Sequence, residues 1–370
     1  MYIEFSNNFL EGLDSEDSLW DVLHLACCSA KNGSHVISCE SRDVARTIAA
    51  KAKKKGKIDI QSWILALEES ITEINGLRNQ LGIILSITKN KKNKKGNGNV
   101  IEIGLNLSSK YEFWNKTNFV TENRHDSIFY KWISDYVQRE FHPELTNILL
   151  TFDSRNGGGG KTTFNEYKAV SLEHPTCCIL DSDQKYPTDS YGETAQYFID
   201  HIGEVKSLIS KYCILEVHEL ENLFFSESFS DGIIPKTGTL LDFQTKTQEL
   251  SRFCESWRLF FDVKKGCYKK NFEQFRGNPP QLRETYHCKS KKTLCNLECD
   301  SCKESYIGGF SSGYMDEMEK KYTDSAEELK YDLFKQSADN LPESMRKIWT
   351  EIFEFLFPWI CGLKFDTKQI

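Results

Sequence analysis

Three acidic clusters fall in a fixed order between residues 118 and 225, each after a short apolar run: Thr121-Glu122-Asn123-Arg124-His125-Asp126, Leu180-Asp181-Ser182-Asp183 and His218-Glu219-Leu220-Glu221-Asn222. A glycine run, Gly157 to Gly160, lies between the first two. Carboxylates at the ends of buried strands repel one another unless a cation is shared among them, so the pattern points to a fold that holds divalent metal at one sheet edge.

The residues around each cluster set its local geometry. Asn118-Phe119-Val120 reads as extended, and Ser127 to Ile133 carries apolar residues at helical spacing. Glu122 is therefore expected at the carboxyl end of a strand, with Asp126 one helical turn later on its side. Cys177-Cys178-Ile179-Leu180 is a continuous apolar run of the kind covered on both faces in a parallel sheet. Alternation along an extended chain then aims Asp181 and Asp183 to the same side, a pair suited to a hard cation. Tyr212-Cys213-Ile214-Leu215 is again strand-like, so His218, Glu219 and Glu221 are expected to emerge at the same edge. Alone, each cluster has a plainer reading: acids favour the first turn of a helix, and Asp favours surface turns.

In this order the clusters resemble the TOPRIM domain, and most closely the OLD-type TOPRIM nucleases and the defence nucleases of PARIS anti-phage systems. Glu122 and Asp126 match the family's strand-terminal glutamate and following acid, Asp181 and Asp183 its D-x-D, and His218 with Glu221-Asn222 its H-x-x-E-N element. Asn123 stands where the family has glycine, although asparagine also tolerates a left-handed backbone. The resemblance covers residues 115 to 228 and implies a Rossmann-like, mostly parallel α/β core. It also implies metal-assisted phosphodiester hydrolysis of DNA or RNA, transfer RNA included. Mg2+ or Mn2+ would be bound by Glu122, Asp181 and Asp183, with Asp126 and Glu221 completing a second site. For Glu122 the resemblance also implies a role as general base or acid, and His218 would protonate a leaving group or orient a carboxylate. It further implies an anti-phage effector controlled in trans by an ATPase of the ABC class.

Two other function classes stay open. The run Arg155-Asn156-Gly157-Gly158-Gly159-Gly160-Lys161-Thr162 invites a phosphate-loop NTPase or kinase reading, but such a loop needs glycine six residues before its lysine, where Arg155 stands. The glycines then form a tight turn that a ligand can approach. A non-catalytic nucleic-acid or protein binding module would use the lysine runs Lys51 to Lys57 and Lys89 to Lys95. The second run is expected at the tip of a hairpin between Ile83–Thr88 and Val100–Leu107. Both runs equally suit solvated surface.

The chain of 370 residues has room for two or three domains, and its net charge of -7 argues against a surface made for coating nucleic acid. The divisions expected are an α+β recognition or docking domain over 1–114, the catalytic domain over 115–228 and a mainly helical region over 229–370. Helices are expected at 18–31, 42–54, 61–79, 245–263, 324–337 and 342–361, and a strand at 35–39. No apolar stretch approaches the length of a bilayer span and no signal peptide opens the sequence, so the cytoplasm is expected. Cys27-Cys28 and Cys177-Cys178 sit in apolar runs and read as reduced core thiols. Cys288, Cys295, Cys299 and Cys302 instead lie in a polar loop, 287–303, that has no core of its own, a setting for structural zinc in which His287 is an alternative ligand.

Overall fold

Parallel strands buried on both faces organise the amino-terminal half of the protein, as its apolar runs require. The computed structural model describes residues 1–78, 80–185, 189–224, 226–230, 259–268, 305–308, 313–323 and 327–363. The chain forms two units. The first holds residues 1–180, 197–213 and 349–370, and the second holds 181–196 and 214–348.

In the first unit, β1 (Tyr2–Phe5), β2 (Val36–Cys39), β3 (Ile84–Ile87), β4 (Lys94–Lys95) and β5 (Val100–Ile103) form a sheet of order β2-β1-β3-β5-β4. The first four of these in sheet order run parallel, with Ile3 opposite both Ile37 and Leu85. Helices α1 (Asn7–Gly12), α2 (Ser18–Lys31), α3 (Arg42–Lys54) and α4 (Ile58–Arg78) connect them. Helix α3 shows why: Ser41 caps it by accepting from the Val44 amide at 3.3 Å, and Val44, Ile48 and Ala52 bury one stripe. Lysines 51, 53 and 54 close its last turn, where the helix dipole favours cations.

The expected hairpin is corrected here. Ile84–Ile87 and Val100–Ile103 are neighbours, but they run parallel. The turn at Gly96 to Asn99 does form, and it joins β5 to the two-residue β4 instead. The connection between β3 and β5 is long enough for the crossover that a parallel pair needs.

A second sheet in this unit has the order β10-β9-β6-β8, from β6 (Asn118–Thr121), β8 (Asp153–Asn156), β9 (Thr176–Leu180) and β10 (Ser210–Ile214). Strand β6 pairs in parallel with both β8 and β9, so Thr121, Asn156 and Leu180 end at one edge. The short helix α5 (Leu105–Ser108) follows β5, and helices α6 (Asp126–Phe141) and α7 (Gly160–Val170) follow β6 and β8. Cys27, Cys177 and Cys178 are buried and unbridged, as expected of core thiols, whereas Cys28 is unbridged but only half-buried.

The carboxyl-terminal segment is threaded through this unit. Strand Cys361–Leu363 pairs antiparallel with β7 (Ile148–Leu150). The buried Met1 amine donates to the Trp359 and Cys361 carbonyls, and Thr117 donates to the Trp359 carbonyl at 2.5 Å. Gly362 passes so close to Gly33 that a Cβ there would lie 2.0 Å from its carbonyl oxygen.

The second unit contains the helices Tyr314–Thr323 and Glu327–Ala338 and an antiparallel pair, Gly266–Tyr268 with Ser305–Gly308. Phe224, Phe229, Tyr322 and Phe334 pack edge to face at its centre. The cysteine loop 287–303 and residues 245–258 of an expected helix lie outside the described residues.

Because backbone rather than a flexible side chain blocks position 362, Gly362→Ala is expected to lower the unfolding free energy by about 1–3 kcal/mol. Chemical denaturation of the two proteins measures this, and an unchanged midpoint would show that the C-terminal strand does not pin the fold.

Candidate metal centre

The first acidic cluster sits where its sequence places it. Strand β6 ends at Thr121, Glu122 follows, and Asp126 opens α6. Thr121 Oγ1 donates to the Asn123 carbonyl at 2.6 Å, and Asp126 Oδ2 accepts from the Asn123 amide at 2.9 Å. Asp126 thus spends one oxygen on closing its own turn, the local role that acids take at helix starts. The turn does not place Asn123 in the left-handed region, since the described residue other than glycine with positive φ is Asp183.

The glycine run joins β8 to α7, with Gly158, Gly159 and Gly160 at φ 76, 80 and 53°. Its first two amides are spoken for: Gly157 donates to the Thr121 carbonyl at 2.8 Å and Gly158 to that of Glu122 at 2.9 Å. A Cβ on Gly159 would come 3.8 Å from Glu122 Oε2. The run therefore packs against the end of β6 with amides that a phosphate cradle would need.

The other two clusters meet within the second unit. Four hydrogen bonds hold residues 181–184 against 217–220: Ser182 Oγ to the Val217 carbonyl at 2.5 Å, the Asp183 amide to the His218 carbonyl at 2.8 Å, the Leu220 amide to Asp181 Oδ1 at 3.1 Å, and His218 Nδ1 to the Gln184 carbonyl at 2.9 Å. Asp183 is held at φ 52°, a conformation costly for residues with a Cβ that tends to persist where surrounding structure enforces it. Gly192 is part of that enforcement. Its amide donates to the Ser182 carbonyl at 2.8 Å, and a Cβ there would lie 2.2 Å from Asp183 Oδ2.

One ligand atom from each of Asp183, His218 and Glu219 lies within 4.8 Å of the others. His218 is 4% exposed and Glu219 6%. Since the Gln184 carbonyl can only accept, His218 Nδ1 carries the proton of that bond, and Nε2 faces the cluster. Nε2 is buried and makes no hydrogen bond; it lies 3.8 Å from Glu219 Oε1 and 3.9 Å from Asp262 Oδ2. Asn222 fixes the loop, accepting from the Glu219 amide at 3.1 Å and donating to the Phe261 carbonyl at 2.7 Å.

Lys264 offsets part of the charge. Its Nζ stands 3.2 Å from Glu219 Oε2 and 2.9 Å from Glu221 Oε1. Burial and then the Glu221 charge raise the Glu219 carboxyl above its ordinary range, against the pull of Lys264. Burial would lower His218, but Asp262 and Glu219 outweigh it and the imidazole is raised. Asp181, Glu219 and Glu221 act on Lys264 and Asp262 lies against Lys265; with Asp183 in the same cluster the acids outnumber these lysines, an excess that a divalent cation would relieve.

Of the residues expected to act, Asp183 and His218 come together, joined by Glu219, which the sequence had not placed among the ligands. Asp181 contacts the Leu220 amide, and Glu221 contacts Lys264. Glu122 and Asp126 belong to the first unit. Asp262 and Lys264 were not foreseen, because Asp262-Val263-Lys264-Lys265 carries no spacing that ties it to the other clusters.

No protein-family model, curated protein or solved structure matches this chain. The residues themselves therefore carry the functional reading.

Replacing Lys264 by Met keeps its stem and strips two buried carboxylates of their cation. Lys264 is partly exposed, so the loss expected in EDTA at pH 7 is at the low end for a broken buried pair, about 3 kcal/mol. A carboxyl raised in the folded state contributes stability while protonated, present below its unfolded pKa of about 4.3 and lost as pH rises through the native value. The deficit of Lys264→Met should therefore shrink as pH falls from 7 toward 4.5. Denaturation across this range checks the slope, and a deficit independent of pH would refute the pairing.

Proposed function

We propose that this chain is a metal-dependent phosphodiester hydrolase, an endonuclease on DNA or RNA. The observation that carries the reading is the buried His218 Nε2, aimed with Asp183 and Glu219 into a site of excess negative charge. An ion held by these three residues would neutralise nonbridging phosphate oxygens and acidify an attacking water.

The chain's own residues supply the rest. The Gln184 carbonyl fixes the imidazole, Gly192 and the His218 carbonyl fix Asp183, and Asn222 fixes the loop bearing Glu219. Lys264 contacts Glu219 and Glu221 and adds a cation where charge develops on the phosphate. Asp181 orients the Leu220 amide. For Glu122, at the end of β6, the resemblance to the TOPRIM glutamate implies a role as general base or acid. That resemblance also supports an anti-phage effector governed by a partner ATPase, while the clustering of Cys288, Cys295, Cys299 and Cys302 in a polar loop supports a structural zinc.

The other classes have less to stand on. Lys51, Lys55, Lys89 and Lys94 pair with Asp14, Asp17, Glu11 and Glu102, so part of each lysine run is already matched within the chain. The glycine run commits amides to β6, which disfavours an NTPase. Among the described residues no helix is long and apolar enough to cross a membrane.

The test is cleavage of plasmid DNA, single-stranded DNA and total transfer RNA with Mn2+, Mg2+ or EDTA. Cutting should require metal and fall by about 100-fold or more in Glu122→Gln and in Asp183→Asn, both still folded. Metal-independent cutting, or full activity in either variant, would overturn the proposal.

A further inference from the structure

We propose that Asp183, His218 and Glu219 form a single-ion centre selective for a first-row transition ion such as Mn2+ over Mg2+. The inference rests on the metal-site part of the reading above and not on hydrolysis. It also departs from the ligand set expected from the sequence, which contained oxygen donors alone.

The donor set comes first. Mg2+ is a hard ion that favours oxygen and keeps several of its waters, whereas imidazole nitrogen suits Mn2+, Fe2+ and later ions. Here the nitrogen is built in. Nδ1 is committed to the Gln184 carbonyl at 2.9 Å, which orients the ring and raises the basicity of Nε2. Nε2 itself is buried without a hydrogen bond, and one oxygen from each of Asp183 and Glu219 completes a cluster within 4.8 Å. One nitrogen and two carboxylates leave coordination positions open for water or phosphate.

Preorganisation supports the same conclusion. Asp183 is fixed by the hydrogen bond its amide donates to the His218 carbonyl and by contact with Gly192, and Glu219 by the hydrogen bond its amide donates to Asn222 Oδ1. At 4% and 6% exposure, His218 and Glu219 hold the site away from bulk water, which disfavours an ion reluctant to shed its own.

The number of ions follows from Lys264. A second ion beside the first would draw on the remaining Glu219 oxygen and on Glu221. Those atoms already contact the Lys264 ammonium at 3.2 and 2.9 Å, so a fixed cation stands there.

Full-length protein stripped with EDTA and titrated with Mn2+ or Mg2+, followed by calorimetry and by loss of the free Mn2+ paramagnetic resonance signal, tests the proposal. One Mn2+ per chain is expected, bound at least about 10-fold more tightly than Mg2+. His218→Gln should weaken Mn2+ by about 10–100-fold and Mg2+ much less, whereas Asp183→Asn weakens both. Thermal melts of each variant separate lost ligation from lost folding. Equal affinity for the two ions, a second tight Mn2+, or wild-type Mn2+ binding by folded His218→Gln would each overturn it. Failure of the cleavage assay would leave this result standing, so the two readings fail separately.

Discussion

The alignment of residues 181–184 against 217–220 is the constraint on which the candidate site depends. It joins an aspartate segment to a histidine segment more than thirty residues away in the chain, and it does so largely through main-chain carbonyls. The Gln184 carbonyl and the His218 carbonyl do opposite work: one orients the imidazole, and the other holds Asp183 in a left-handed conformation. A slip of one residue would aim these side chains elsewhere, so the register of this pairing is the register of the metal centre.

Burial then sets the electrostatics. Carboxylates withdrawn from water resist ionisation, as the raised Glu219 shows, and a neighbouring Glu221 makes that worse. Lys264 balances part of this charge, and Asp262 and Glu219 raise the affinity of His218 for its second proton. Metal binding would displace the imidazole proton and so couple occupancy to pH. The same desolvation that penalises these carboxylates makes a bound cation effective.

Much of this was legible because strand ends are legible. The short extended run at Asn118 and the continuous apolar run at Cys177 pointed to β6 and β9, and the acids expected after them follow those strands directly. The turn between Cys39 and Arg42 is a plain strand-to-helix turn, with Ser41 as cap. Periodicity could not tell parallel from antiparallel pairing, which is why the turn at Gly96 was assigned the wrong partner strand. Glu219 was passed over because it falls at an unspecified position of H-x-x-E-N, and its role depends on a backbone turn fixed by Asn222. Lys264 and Asp262 reach the site through tertiary contact alone. Asp126 kept the local role of a helix-start acid, closing its turn on the Asn123 amide.

The most direct test of the central claim is the anomalous diffraction of crystals equilibrated with Mn2+. The account predicts a strong peak bonded to His218 Nε2, with Asp183 and Glu219 as the other protein ligands. Strong peaks elsewhere in well-ordered crystals, with none at His218, would contradict it.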